Sequence, residues 1–208
     1  KEVSRLVRAA HPGAPFFILG ESMGGAVVMV AMAEADAPDA DGVILVAPAV
    51  WGREVMNPFY RAVLWLTAHI IPAARVKVEG VHMRPSDNLA MLKRLNRDPL
   101  VIKRTRVDAV YGLVNLMDAA FAAAPPLAVP TLLLYGAHDQ LVPRKATRLM
   151  LRRLPTLPRL AVYPSGYHML LRDLQAATVV DDVAAWIADS GAPLPSGADQ
   201  DSQAFFER

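Results

Sequence analysis

The sequence predicts an α/β protein with a mostly parallel, doubly wound sheet and an inserted helical cap, and three observations carry that expectation. Short apolar runs alternate with helix-like stretches near both ends of the chain. The runs are continuously apolar, as in strands covered on both faces, where one solvated face would make them alternate. Residues 51–125 break the rhythm with successive helix-like stretches and no convincing strand between them, which reads as a cap inserted into a core formed by 1–50 and 126–189.

Residues 2–10 have Val3, Leu6, Val7 and Ala10 at spacings of three and four, which predicts an amphipathic helix with those side chains on one face. Pro12, Gly13 and Pro15 stop it. Pro15–Leu19 then reads as a buried strand, Gly20–Gly25 as a turn, and Ala26–Glu34 as a buried helix whose start lies near Ser22. After a loop over Asp36–Gly42, Val43–Ala47 is a second buried strand ended by Pro48. Strand, helix and strand within about 30 residues is the pattern of a parallel crossover.

Beyond the cap, Thr131–Tyr135 resumes the strand pattern, and Pro143–Leu154 is a helix with proline in its first turn. Leu160–Tyr163 is a last short strand. Leu174–Ala188 closes the core with Val179, Val183, Trp186 and Ile187 on its apolar side. Residues 190–208, rich in Gly, Pro, Ser and Asp, read as a mobile tail.

The chain has 208 residues, of which 53% are apolar, enough for one sizeable core. Its 22 basic and 20 acidic residues leave a net charge of +2, no electrostatic reason to expect nucleic acid. A small-molecule ester or lipid is the expected partner, and the oligomeric state stays open. With no cysteine, disulfides, thiolate metal sites and a cysteine nucleophile are excluded. No H-E-x-x-H or other helical histidine pair is present, so no metal site is expected. The longest apolar runs, Val43–Trp51 and Ala62–Ile71, are too short to span a bilayer. Lys1–Ala10 has charges at positions 1, 2, 5 and 8 and is no signal peptide. The expected location is the cytoplasm.

Gly20-Glu21-Ser22-Met23-Gly24 matches G-x-S-x-G between a predicted strand and a predicted helix. A nucleophilic serine needs a tight turn that lifts its hydroxyl above the sheet edge, and the flanking glycines remove Cβ atoms that would collide there. The helix that follows aims its first N–H groups at a developing oxyanion, and the Met23 amide is the expected donor. The plain alternative is a Gly-rich link between strand and helix. A serine hydroxyl also requires a base, and the base a carboxylate to hold its tautomer. Asp139 lies four residues past the predicted strand end at Tyr135, the right place for the acid, with a helix N-cap as the alternative. His168, between the last strand and the closing helix, is the base candidate, and the alternative is an exposed loop histidine. His11, His69 and His82 read as turn or cap histidines, and His138 adjoins the acid.

Gly20–Gly25, Val46-Ala47-Pro48-Ala49, Asp98-Pro99-Leu100, the run Val129–Asp139, and His168-Met169-Leu170-Leu171-Arg172-Asp173 together resemble the monoacylglycerol lipase and lysophospholipase branch (serine aminopeptidase S33 type) of the α/β-hydrolases, over about residues 1–189. The resemblance implies an α/β-hydrolase fold and cleavage of glycerol or glycerophosphate esters with one long acyl chain, through an acyl-enzyme and without a cofactor. Relatives carry further strands before the nucleophile strand and a His-Gly turn that supplies a second oxyanion donor. Nothing before Pro15 can be those strands, so the resemblance implies N-terminal strands missing from this chain and weak catalysis by residues 1–208 alone. A short-chain esterase or a proline-type aminopeptidase would use the same three side chains, and a non-catalytic binding module could keep the same fold.

Residues 51–125 hold 11 Lys and Arg against 6 Asp and Glu, net +5, while the remainder is net −3. A basic cap with apolar stretches such as Phe59–Ile71 could make peripheral contact with an anionic membrane surface and admit an acyl chain to Ser22. An ordinary cap helix, apolar side on the core and charges in water, is the alternative.

Overall fold

The computed structural model describes residues 1–76, 83–123, 128–200 and 205. In chain order the elements are α1 (Glu2–Ala10), β1 (Phe17–Glu21), α2 (Met23–Met32), β2 (Gly42–Val46), α3 (Pro58–Ile70), β3 (Arg75–Val76), α4 (Leu89–Arg97), β4 (Thr105–Arg106), α5 (Val107–Ala123), β5 (Thr131–Gly136), α6 (Arg144–Arg153), β6 (Arg159–Tyr163), a 3-10 turn at Leu170–Arg172, α7 (Ala176–Ala188) and β7 (Asp199–Gln200). His82 lies outside the described residues.

The main sheet has the order β1-β2-β5-β6-β7. Its first four strands are parallel and β7 is antiparallel to β6. Every residue of β2 and of β5 is buried, and consecutive side chains go to opposite faces, which is why these strands read as unbroken apolar runs. Val43, Leu45, Leu133 and Tyr135 pack with Met29 of α2, Met117 and Phe121 of α5 and Met150 of α6. Ile44, Val46, Leu132 and Leu134 pack with Val179 and Trp186 of α7. Helices therefore cover both faces, and each fully buried aliphatic side chain contributes about 1.5–3 kcal/mol. Trp186 also meets the Phe17 ring edge-on at 5.8 Å, which anchors α7 to β1.

Between β2 and β5 the chain builds α3, α4 and the antiparallel pair of β3 with β4, two residues each and too short for a periodicity reading to detect. Its last helix, α5, covers the sheet beside α2. In α3 no residue is buried. Phe59, Tyr60, Trp65, Leu66 and Ile70 are all more than half exposed, and Leu64 is the α3 side chain that packs against the core.

Two expectations need correction. The predicted apolar face of α1 does not pack: Val3 and Leu6 are 71% and 61% exposed, and the buried residue is Ser4. Charge holds this helix instead. Lys1 pairs with Glu34 and Asp36, and Arg8 with Asp41 at 2.9 Å, which turns the aliphatic side chains outward. Residues 191–200, expected to belong to a mobile tail, return to the sheet. Asp199 pairs with Ala161 across β7 and β6, and Arg159 binds its carboxylate at 2.7 Å. Buried Asp182 accepts from Tyr163 Oη at 2.8 Å and from Ser196 N and Oγ at 2.9 and 2.5 Å. Leu194, Ala198 and Phe205 are buried. These residues enter the core through pairings distant in sequence, which composition does not display.

Candidate active site

β1 ends at Glu21 and α2 starts at Met23, leaving Ser22 alone at the turn with φ 53° and ψ −117°. Positive φ at a non-glycine residue costs on the order of 1–3 kcal/mol and persists only where the surroundings impose it. The end of β2 does so. Ser22 N–H donates to Val46 O at 2.9 Å, while Ser22 O accepts from Ala49 N at 2.8 Å and Ala26 N at 3.3 Å. Ala47, between those partners, also has positive φ, 42°. The glycines divide unequally. A Cβ on Gly20 would lie 2.5 Å from Gly24 O, and one on Gly25 would lie 2.8 Å from Pro48 Cβ, whereas one on Gly24 would meet nothing within 4 Å. Gly20 and Gly25 therefore meet the steric requirement expected of the motif, and Gly24 does not.

The loops after β5 and β6 bring the other two candidates to Ser22. His168 Nε2 is 2.8 Å from Ser22 Oγ, and His168 Nδ1 is 2.8 Å from Asp139 Oδ2. A carboxylate accepts only, so Nδ1 carries the proton and the Nε2 lone pair faces the serine hydroxyl. Both partners are buried, with side-chain exposures of 6% for His168 and 0% for Asp139. The other oxygen of Asp139 accepts from Leu141 N at 2.8 Å and Val142 N at 3.0 Å. Asp139 thus closes a turn in its own loop, while the N-cap of α6 is Pro143. Gly136 lets the two loops touch, because a Cβ there would sit 2.3 Å from Tyr167 O.

The other described histidines take no part in this chain. His11 ends α1, and His69 has its Nδ1 2.6 Å from Trp65 O. The His138 ring stacks on Tyr167 at 5.3 Å. The Met23 amide, in the first turn of α2, has no earlier turn to donate to and remains the candidate oxyanion donor. Among the described residues no group of three or more His, Asp or Glu side chains can hold a metal ion.

Sequence reasoning missed two supporting sets. Residues 84–88, before α4, hold both loops. Arg84 N–H donates to Gln140 Oε1 at 2.8 Å, Met169 N–H to Pro85 O at 2.9 Å, and Leu174 N–H to Asp87 Oδ1 at 2.8 Å. The second set is acidic. Asp173, 3% exposed, accepts from Tyr167 N at 2.7 Å. Glu21, next to Ser22, has its carboxyl pushed above the ordinary range, chiefly by burial, against the pull of His168 and Arg172. Single acidic residues carry no periodicity that would have marked either.

A serine held at a strained strand-to-helix turn, with an acid and a histidine arriving from loops after later parallel strands, defines the α/β-hydrolase fold class. Within it the chain belongs to the family described as serine aminopeptidase, S33, whose model matches residues 1–175. It is 28% identical over 189 residues to human monoglyceride lipase, covering 86% of this chain and 60% of that protein. It is also 28% identical over 189 residues to the monoacylglycerol lipase of Mycolicibacterium smegmatis, covering 85% and 63%. The chain thus spans about three fifths of the length of these curated relatives. The crystal structure of Paleococcus ferrophilus monoacylglycerol lipase superposes with a TM-score of 0.70 at 22% identity, covering 89% of this chain and 74% of that one. At that identity the likeness bears on the fold.

Proposed function

We propose that this protein is a serine hydrolase that cleaves a carboxylic ester, monoacylglycerol or lysophospholipid, through an acyl-enzyme on Ser22. One observation carries the reading: the unbroken chain from Asp139 through His168 to Ser22, each link 2.8 Å. In this mechanism Ser22 Oγ attacks the ester carbonyl as His168 Nε2 takes its proton, and Asp139 stabilises the resulting imidazolium. The Met23 amide donates to the oxyanion. When the carbon–oxygen bond breaks, His168 returns the proton to the departing alcohol. Water, deprotonated by His168, then attacks the acyl carbon and releases the acid and the serine. No step calls for a cofactor.

The names of the monoacylglycerol lipase relatives support a glycerol ester as substrate, and the exposed apolar residues of α3 support an acyl chain presented from a lipid surface. Net charge favours an anionic one, because residues 51–125 are net +5. No helix among the described residues is long and apolar enough to cross a membrane; the contact proposed is made at the membrane surface by α3. The family description, serine aminopeptidase, supports a second reading, an aminopeptidase, with the proline type as the one expected from the sequence.

A chain-length series of monoacylglycerols and lysophospholipids, run beside a proline p-nitroanilide, separates the two readings. Turnover of the esters, lowered about 10⁴-fold or more in Ser22→Ala, is the expected result. Failure of a fluorophosphonate probe to label Ser22 in the full-length protein would overturn both. Unchanged vesicle binding after replacement of Phe59, Trp65 and Ile70 by serine would remove the membrane contact alone.

A further inference from the structure

Met91, Arg94 and Leu95 of α4, its C-cap Asp98, and Arg172 of the 3-10 turn line a cavity of about 360 Å³, within the size range of small-ligand sites. Asn88 ties its two sides together: the side-chain oxygen accepts from Met91 N at 3.0 Å, and the side-chain amide donates to Arg172 O at 3.1 Å. Met91, 9% exposed, is the buried wall. Arg94 and Arg172 are exposed, and neither guanidinium donates a hydrogen bond or makes an ion pair among the described residues. Like charges around one cavity repel, and guanidinium groups do not shed protons to relieve it. Asp98 is the acid of the lining. Its Oδ1 accepts from Leu100 N at 2.9 Å, and its carbonyl accepts from Lys103 Nζ at 2.9 Å, which brings a third cation to the rim. Arg94, Arg172 and Lys103 against Asp98 leave positive charge in excess. A phosphate monoester, close to a dianion at neutral pH, matches both that charge and the planar fork of a guanidinium.

We propose that Arg94 and Arg172 form a binding site for a phosphate group, the head group of a lysophospholipid whose ester is presented to Ser22. The inference rests on the hydrolase reading of Ser22 and names the substrate within it. Arg172 follows His168 by four residues, so their Cα atoms lie within about 14 Å even for an extended chain, and the 3-10 turn over Leu170–Arg172 draws them closer. In a lysophospholipid the glycerol backbone alone separates the ester from the phosphate, and the flexible arginine side chain closes the remainder. A monoacylglycerol carries an uncharged hydroxyl at that place and leaves both guanidinium groups as they are. Free phosphate has the same chemistry, and the two sources differ in what they do to ester turnover.

The test pairs calorimetric titration of the full-length protein with inorganic phosphate at low salt with KM for a lysophosphatidate and for the monoacylglycerol of the same acyl chain, in wild type and in Arg94→Gln/Arg172→Gln. The double variant is expected to lose phosphate binding and to raise the ratio of lysophosphatidate KM to monoacylglycerol KM about tenfold, the effect of two exposed charge contacts. Loss of phosphate binding with an unchanged ratio would assign the cavity to free phosphate and overturn the head-group assignment. No phosphate binding by wild type, or equal binding by the variant, would overturn the site itself. Should wild type hydrolyse neither lipid, the hydrolase reading fails, and calorimetry alone still decides whether the cavity takes phosphate. Should the double variant not fold, weaker phosphate binding in Arg172→Gln alone would support the site, and unchanged binding would refute it.

Discussion

Replacing Asp139 with asparagine isolates electrostatics from packing. The carboxylate accepts three hydrogen bonds, from His168 Nδ1 and from the Leu141 and Val142 amides, at 2.8, 2.8 and 3.0 Å. Asparagine has one acceptor oxygen, and two backbone N–H groups converge on the oxygen opposite His168. The amide oxygen therefore stays with the backbone, and the NH₂ group faces Nδ1. Two donors cannot meet, so the imidazole moves its proton to Nε2, where it points at Ser22 Oγ and blocks proton abstraction. The wrong tautomer costs about 10⁴-fold in kcat, equivalent to about 5.5 kcal/mol of lost transition-state stabilisation. Folding should change little, because the backbone bonds survive. Single-turnover ester cleavage with and without the substitution, beside denaturant unfolding, reads both quantities. A variant within tenfold of wild type would refute the claim that this carboxylate fixes the tautomer.

The turn and the closing segment yield two further expectations. Gly20→Ala should cost about 1–3 kcal/mol, because the new Cβ would lie 2.5 Å from a backbone oxygen that cannot move aside. Gly24→Ala, with open space around the same position and a place inside α2, should raise stability by up to about 1 kcal/mol, and thermal unfolding of the pair would show the opposite signs. Tyr163→Phe removes the hydroxyl that donates to buried Asp182 and should lower stability by about 1–2 kcal/mol in urea. Burial and the Asp182 hydrogen bond push the Tyr163 hydroxyl far above its ordinary range, so it stays protonated and this cost should not vary between pH 6 and 9.

The catalytic candidates were legible because each role leaves a local mark. Ser22 stands between glycines at a change of period, Asp139 follows a strand end by a few residues, and His168 is the only histidine after the acid. Strands β2 and β5 were legible for a related reason: burial on both faces demands unbroken apolar runs. The helix α1 misled because an apolar stripe says only that a face can be buried. The contacts the helix makes are instead ion pairs at Lys1 and Arg8, to residues more than thirty positions away.

The acids around His168 show where local reading ends. In the sequence Glu21 is the variable position of G-x-S-x-G, and Asp173 is one charge among several before a helix. Their surroundings arise only when the fold brings the end of β1 and the loop after β6 to one site, with Ser22 Oγ 2.8 Å from His168 Nε2. Burial then changes their chemistry, since a carboxyl group taken out of water without a partner resists ionisation and makes its remaining charge felt over a longer distance. The same reasoning separates Asp139 from Glu21. Asp139 accepts three hydrogen bonds, whereas Glu21 has a buried oxygen with no hydrogen-bond partner. A substitution that removes the charge of Asp139 should therefore disrupt a fully satisfied hydrogen-bond set, whereas one at Glu21 removes an acceptor that no donor meets.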